Sequence, residues 1–165
     1  MPFLIKSPGT IIPGTISDDK IMNIDFAPTL LDFAGLSIPE EMQGRSFKNT
    51  FTKNSDTKRN AVYYHYYEYP IWHNVQPHYG VRTDKYKLIH FYYSMDEWEL
   101  YDMDADPHEM NNIYENADPG LISKLKFKLD SLKKYYGDTS SINDMISMTD
   151  TVIQRVYNEP VKEIK

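Results

Sequence analysis

The chain contains no cysteine among its 165 residues. It therefore cannot form a disulfide framework, a zinc–thiolate site or a thiol nucleophile. No apolar run approaches the roughly 20 residues that cross a bilayer, and Met1 is followed directly by Pro2, without the charged region that opens a secretory signal. The formal net charge of −6 offers no basic face to nucleic-acid phosphates. These absences argue against a thiol enzyme, a transmembrane protein and a nucleic-acid-binding protein.

The sequence also lacks a compact cluster of carboxylates and histidines that could hold a catalytic metal. What it has instead is a concentration of rings: ten of the 14 tyrosines lie between Ala61 and Tyr101, with four of the five histidines and both tryptophans. Aromatic and β-branched residues favour strands, so this stretch predicts a sheet with a polar, ring-rich surface. Such a surface suits flat, hydroxylated ligands. The chain is typical of the ligand-contacting part of an enzyme whose reaction centre lies elsewhere.

Before that stretch, four segments are predicted. Met1 to Lys6 is an apolar run that indicates a buried strand, and a chain that begins inside a core strand suggests that Met1 is an internal methionine of a longer protein. Asp25 to Gly35 has helical spacing, with Asp25 as N-cap and Gly35 as the stop. Ile38 to Phe51 is interpreted as a loop, and Thr52 to Asn60 as an exposed linker.

The ring-rich stretch itself predicts a small antiparallel sheet. Glu68 to Pro77 holds two prolines and indicates an excursion away from it, whereas Asp84 and Lys85 form the turn of a hairpin. The four predicted strands are Ala61 to Tyr67, Tyr79 to Thr83, Tyr86 to Tyr93 and Trp98 to Tyr101.

Helix signals dominate the remainder. Asp106 to Glu109 has the pattern of a helix start with a capping box. Leu121 to Tyr136 places leucines on one stripe and predicts the clearest helix, which Gly137 ends. After Asp138 the periodicity is weak, so we expect a mobile tail or a short added helix.

Candidate binding residues lie in and beside the excursion. His73 and His78 are near Glu68, Tyr69 and Trp72, and loops held by a rigid sheet supply a large share of binding residues. His78 is the first choice for a ligand contact, ahead of His73. The alternative is an aromatic cluster that simply closes the sheet.

The other titratable residues have plainer interpretations. His65 and His90 are expected in hydrogen-bonded positions of the sheet, and His108 in solvent. Arg82 and Lys87 flank the hairpin turn and could meet a sulfate or carboxylate, although neighbouring acids could also pair with them. The alternating Asp102 to Asp106 acids are unlike a calcium loop, because Pro107 replaces the required glycine.

Six motifs in order resemble the C-terminal part of type I sulfatases of the alkaline-phosphatase-like superfamily, in particular bacterial arylsulfatases and N-sulfoglucosamine sulfohydrolase-like enzymes. The resemblance extends from Met1 to about Tyr136. The motifs are MPFLIKSPG, NIDFAPTLLDFAGL, IPEEMQGRSF, YYHYYEYP, HYGVRTDKYKLIHFY and ELYDMDADPHEMNN.

The resemblance implies an α+β fold. A first strand and helix, in residues 1–60, would belong to the central α/β sheet of the full enzyme. Residues 61–137 would form a C-terminal subdomain, a small antiparallel sheet of about four strands packed on a helix, and residues 138–165 a tail.

For function, the resemblance implies hydrolysis of sulfate esters of sulfated glycans by a formylglycine beside a calcium ion. Both belong to the N-terminal part of the family, so no cofactor and no catalytic residue is expected in this chain. Lys6 follows the position of the family's late catalytic lysine and should not take its role. Export to the periplasm or secretion is implied for full-length relatives.

The substrate-recognition role falls on the positions matching YEYPIWHNVQPH, with His78, His73, Trp72, Glu68 and Arg82 as the candidate contacts. The partners are then a sulfated glycan and the N-terminal sulfatase domain. Two alternatives remain: a non-catalytic carbohydrate-binding remnant, and a fragment of a related phosphodiesterase or phosphotransferase.

Overall fold

The structure, a computed structural model, describes residues 3–51, 58–70 and 73–158. The chain divides into two compact units, residues 1–62 and 63–165. Within the described ranges, no helix is long and apolar enough to cross a bilayer. The regular elements are α1 (Phe26–Phe33), β1 (Ala61–Tyr66), β2 (His78–Thr83), β3 (Tyr86–Phe91), β4 (Glu97–Asp102), α2 (Pro119–Tyr135) and α3 (Ile142–Asn158).

The first unit is built around α1. Gly35 adopts a φ of 71°, which lets Leu36 N–H return to the Leu31 carbonyl at 2.9 Å and end the helix as predicted. The buried strand predicted for Met1 to Lys6 is wrong in its described part, because residues 3–6 are not in a strand and the Leu4 side chain is 96% exposed. A strand needs a hydrogen-bonded neighbour, and no described segment pairs with these residues.

A buried ion pair holds the start of α1. Asp25 precedes the helix but its side chain does not cap it; the carboxylate instead accepts bonds from Arg59 Nη1 at 2.5 Å and Nη2 at 2.9 Å. Backbone N–H groups of Met22 and Arg45 complete its shell. The exposed linker predicted for Thr52 to Asn60 is therefore wrong at Arg59, which is buried; residues 52–57 lie outside the described residues.

The sheet has the strand order β1-β2-β3-β4, with β2–β3 and β3–β4 antiparallel. The α+β class, the four strands and the hairpin turn at Asp84 and Lys85 agree with the prediction. Pairing of Val81 with Leu88, and of Leu88 with Leu100, sets these three fully buried side chains on one face of the sheet. Helix α2 packs against β2 and buries Leu125 and Leu129. These side chains form the core of the second unit.

The helix start predicted at Asp106 to Glu109 does not form. The Asp106 carboxylate accepts from the Asn111 N–H at 2.8 Å, beyond the reach of an N-cap, and Glu109 adopts a φ of 56°. Glu109 Oε2 lies 2.5 Å from Lys87 Nζ, so it is used in an ion pair and not in a capping box. The helix starts later, at Pro119, where the Asp118 carboxylate accepts from Leu121 N–H.

The stretch after Asp138 is more ordered than the sequence indicates. Helix α3 has 17 residues and buries Met145 and Thr149. The mobile tail is therefore wrong for residues 142–158, and the helix is longer than the short one expected.

Candidate functional site

The candidate site is the segment between β1 and β2, residues 67–77, here called the β1–β2 segment. As predicted, its described part leaves the sheet, with a cis bond between Tyr69 and Pro70. Trp72, one of the predicted contacts, lies outside the described residues. Two backbone carbonyls of the segment are held by sheet residues: Tyr66 O–H donates to the Glu68 carbonyl at 2.9 Å, and His78 Nδ1 lies 2.8 Å from the Gln76 carbonyl.

His78 is the first residue of β2 and is half-buried among rings. Its imidazole stacks on Tyr66 at 5.4 Å with an interplanar angle of 20°, and Phe91 lies 4.9 Å away. Because Nδ1 must donate to the Gln76 carbonyl, a neutral ring presents Nε2 as an acceptor. A hydroxyl donor on a sugar suits such an acceptor. The geometry places His78 within the aromatic cluster and also at the end of the candidate segment.

The structure brings together only part of the predicted contact set. Glu68 and His73 belong to the β1–β2 segment and are exposed, at either side of the residues that are not described. Arg82 lies four residues beyond His78 in β2, which at 3.3 Å per residue is about 13 Å along the strand. Its Nη1 donates to the Asp84 carbonyl at 3.2 Å. Arg82 therefore belongs to the hairpin end of the sheet and not to the segment.

A buried polar network that the sequence does not reveal lies at the same end of the sheet as the segment. His65 Nδ1 lies 2.8 Å from Asp138 Oδ2, and His65 Nε2 lies 3.0 Å from the Tyr92 hydroxyl. The Tyr63 hydroxyl donates to the same carboxylate oxygen. Tyr67, the first residue of the segment, stacks on the His65 ring at 3.8 Å.

Burial sets the protonation of this network. It lowers the pKa of His65, and the carboxylate of Asp138 only partly opposes that effect. Burial also raises the pKa of Asp138, but hydrogen bonds from Tyr63 and His65 outweigh it and leave the value below normal. A neutral His65 then donates a hydrogen bond from Nδ1–H to Asp138 and accepts one at Nε2 from the Tyr92 hydroxyl. Every polar atom of the ring has a partner, as expected for a buried histidine in a sheet.

His90 repeats the arrangement one strand pair away. Its Nδ1 lies 2.8 Å from the Tyr79 hydroxyl and its Nε2 2.7 Å from Asp96 Oδ1. Burial lowers its pKa despite the nearby Asp96 carboxylate. Trp98 stacks on the ring at 4.1 Å, and Lys126 of α2 lies 3.9 Å over that indole. The predicted hydrogen-bonded positions of His65 and His90 are thus confirmed. The sequence did not predict their partners, such as Asp138, which is 73 residues from His65.

The calcium ion that the family resemblance assigns to the N-terminal part of the enzyme does not fit the described residues of this chain. Within residues 3–51, 58–70 and 73–158, no group of three or more histidine, aspartate or glutamate side chains is placed to hold a metal ion. A hard cation needs six or more oxygen ligands, and the Asp25 and Asp138 carboxylates are already used by internal donors. What the arrangement offers is aromatic faces and hydrogen-bonding groups, which suit sugar binding.

Comparison with known proteins agrees with the resemblance of this sequence to the C-terminal part of sulfatases. The family described as "N-sulphoglucosamine sulphohydrolase, C-terminal" matches residues 1–135. An N-acetylglucosamine-6-O-sulfatase of Bacteroides thetaiotaomicron is 49% identical over 142 residues, covering 84% of this chain and 25% of the relative. The N-acetylglucosamine-6-sulfatase of Bos taurus is 30% identical, covering 84% of this chain and 30% of the relative. The chain thus spans between a quarter and a third of these relatives.

Solved structures agree on the fold. The structure of BT4656 in complex with its substrate D-glucosamine-2-N,6-O-disulfate is 47% identical, with a TM-score of 0.77 over 82% of this chain and 28% of that one. A putative sulfatase from Bacteroides thetaiotaomicron is 28% identical, with a TM-score of 0.56 over 75% of this chain and 25% of that one. Because the family match takes in most of its residues, this chain belongs to the sulfatase family described as the C-terminal region of N-sulphoglucosamine sulphohydrolase.

Proposed function

We propose that this chain acts as the C-terminal part of a sulfatase that removes 6-O-sulfate from glucosamine residues of sulfated glycosaminoglycans. In this proposal the β1–β2 segment recognises the sugar, and a preceding catalytic part supplies the nucleophile and the metal site. The single observation on which the proposal rests is the 49% identity, over 142 residues, to an N-acetylglucosamine-6-O-sulfatase. The chemical step itself lies outside the residues of this chain.

The proposed substrate class follows two relatives of nearly 50% identity. The relative at 49% identity is named for 6-O-sulfate on N-acetylglucosamine, and the BT4656 structure at 47% identity contains a 6-O-sulfated glucosamine. Relatives named for other sulfated sugars are less similar than this pair, such as an ulvan-active sulfatase at 27% and a hexuronate-2-O-sulfatase at 32%, and so is the N-acetylglucosamine-6-sulfatase of Bos taurus at 30%. If this C-terminal region sets part of the substrate preference, the preference should be for 6-O-sulfated glucosamine, as in the 49%-identical relative and the BT4656 structure.

The side chains of the β1–β2 segment suit a role in sugar recognition. Tyr67 and Tyr69 supply ring faces, Glu68 a charged acceptor, and His73 and His78 imidazoles that can meet hydroxyl groups. Trp72 adds an indole to the same segment of sequence. Because β1 and β2 anchor both ends, binding to these residues loses less conformational entropy than binding to a free loop.

A chimera tests the proposal directly. This chain would replace the matching C-terminal quarter of the Bacteroides thetaiotaomicron N-acetylglucosamine-6-O-sulfatase, and sulfate release from N-acetylglucosamine 6-sulfate would be measured. We expect turnover in the chimera, and none in the truncated relative or in this chain alone. His78→Ala and Trp72→Ala should raise KM, whereas Arg82→Ala, at the far end of β2, should change it less. A folded chimera without turnover, or turnover by this chain alone, would contradict the proposal.

A further inference from the structure

Helix α3 binds the hydroxyl of Tyr93, and the ring of Tyr93 contacts Tyr69 of the β1–β2 segment. The Tyr93 hydroxyl donates to Asp150 Oδ1 of α3 at 2.7 Å. The Tyr93 ring lies 5.5 Å from the ring of Tyr69, the residue before the cis proline. The hydrogen bond fixes the tip of Tyr93, and the ring then offers Tyr69 a rigid surface. A continuous chain of contacts thus joins α3 to the segment.

The helix end of this chain of contacts is itself anchored to the sheet unit. Asp138, in the connection that leads into α3, accepts bonds from Tyr63 and His65 of β1. Met145 and Thr149 of α3 are buried. Asp150 follows Thr149 directly, so its position is set by side chains that do not involve Tyr93. An anchored acceptor can orient a tyrosine, whereas a side chain on a free tail cannot.

The same stretch of chain, residues 92–94, also contacts the other end of the segment. Tyr92 N–H donates to the Pro77 carbonyl at 3.4 Å, and Ser94 N–H lies 3.5 Å from Gln76 Oε1. Both bonds are long and weak. The position of the segment therefore depends more on how firmly residues 92–94 are held than on either of these two bonds.

We infer that α3 is a positioning element for the β1–β2 segment and that it acts through the Asp150–Tyr93–Tyr69 contacts. Only the link to substrate recognition rests on the proposed function. The family match ends at residue 135, so α3 lies beyond the matched region. The contacts of α3 with Tyr93 therefore give a role at the β1–β2 segment to a helix that the family match does not include.

The protonation state of Tyr93 favours a permanent contact. The hydrogen bond to Asp150 raises the pKa of Tyr93 to about 12. The hydroxyl therefore remains a donor throughout the neutral range. A change of pH between 6 and 8, roughly two units around neutrality, should leave this contact intact.

Hydrogen exchange of the full 165-residue chain tests the inference. We expect Asp150→Ala and Tyr93→Phe each to raise amide exchange in residues 67–70 and 73–77 by roughly threefold to tenfold, as expected for the loss of one hydrogen bond. The double variant should show no further rise, because both changes remove the same bond. Asp150→Asn should rescue most of the effect, since an amide oxygen still accepts. Gln154→Ala, an exposed change on the same helix, is the matched control.

The inference is overturned if exchange in residues 67–70 and 73–77 stays within about twofold in Asp150→Ala, if the single effects add in the double variant, or if Gln154→Ala gives the same rise. A general loss of stability would also raise exchange in β2 and β3, so those peptides serve as the internal reference. Since the measurement uses no ligand, it is independent of the chimera assay: turnover can fail while the exchange result supports the positioning role.

Discussion

At the scale of single residues, the buried charges of this chain are satisfied by partners that are distant in sequence. Asp25 and Arg59 are 34 positions apart, and the Asp25 carboxylate accepts four hydrogen bonds. Burial alone raises the pKa of Asp25, but the hydrogen bonds from Arg59 and from two backbone N–H groups lower it below its ordinary value of 3.8. Breaking such a pair by removing one partner costs about 3–5 kcal/mol. Arg59 thus orders the start of α1 from the other end of its unit.

His65 and His90 should make the stability of the chain depend on pH between 7 and 5, roughly the range in which histidines titrate. Burial lowers the pKa of both rings below 6.5. The unfolded chain then binds more protons than the folded one as the pH falls, so the free energy of unfolding decreases through this range. We expect His65→Gln to flatten this decrease in urea unfolding curves, and His65→Gln with His90→Gln to flatten it further.

The exposed His73 provides the control for that measurement. His73→Gln should leave the slope of unfolding free energy against pH unchanged, because the side chain stands outside the buried networks. An equal flattening by His73→Gln, or an unaltered slope in the double variant, would contradict the assignment of neutral, buried rings to His65 and His90.

At the scale of elements, the sequence predicts what depends on local pattern. The strands, the hairpin turn and α2 follow from alternation, turn residues and a leucine stripe. It fails where a distant partner decides the outcome: Glu109 pairs with Lys87 of β3, and the expected helix start is a loop. For the site, the excursion from the sheet between β1 and β2 was predictable, whereas the Tyr63–His65–Asp138 network required knowing that residue 138 returns to β1.

Helix α3 offers a test with a matched pair of methionines. Met145 is 3% exposed and Met148, one turn further, is 59% exposed. Met145→Ala should lower the free energy of unfolding by about 2–4 kcal/mol through lost burial and a residual cavity, and Met148→Ala by less than about 0.5 kcal/mol. Urea denaturation followed by circular dichroism measures both. Equal costs for the two changes would mean that α3 does not pack in solution as it does in this structure.

At the scale of the whole molecule, the first unit leaves several large apolar side chains exposed. Leu4, Ile16, Leu30 and Leu36 are each at least 60% exposed. Leu4 and Ile16 also line a largely apolar cleft of about 610 Å³, together with residues that include Phe3, Ile11, Ile21 and Phe26. Extended apolar patches mark surfaces that another protein part covers. We propose that the remaining part of the sulfatase covers this surface, since the chain spans 25% of its 49%-identical relative.

The chain by itself should therefore associate through side chains of the first unit. Strand-edge pairing at Met1 to Lys6 is not the cause, because its described residues form no strand. We expect sedimentation velocity to show a concentration-dependent shift to larger species, and Leu4→Ser with Ile16→Ser to weaken that shift markedly. Phe127→Ser, at a position of α2 in the second unit that is 75% exposed, should leave it unchanged. The expectation is contradicted if the chain is a monomer at every concentration, or if Phe127→Ser suppresses the sedimentation shift instead. Either result would show that the exposed surface of residues 3–36 does not drive association and needs no covering part.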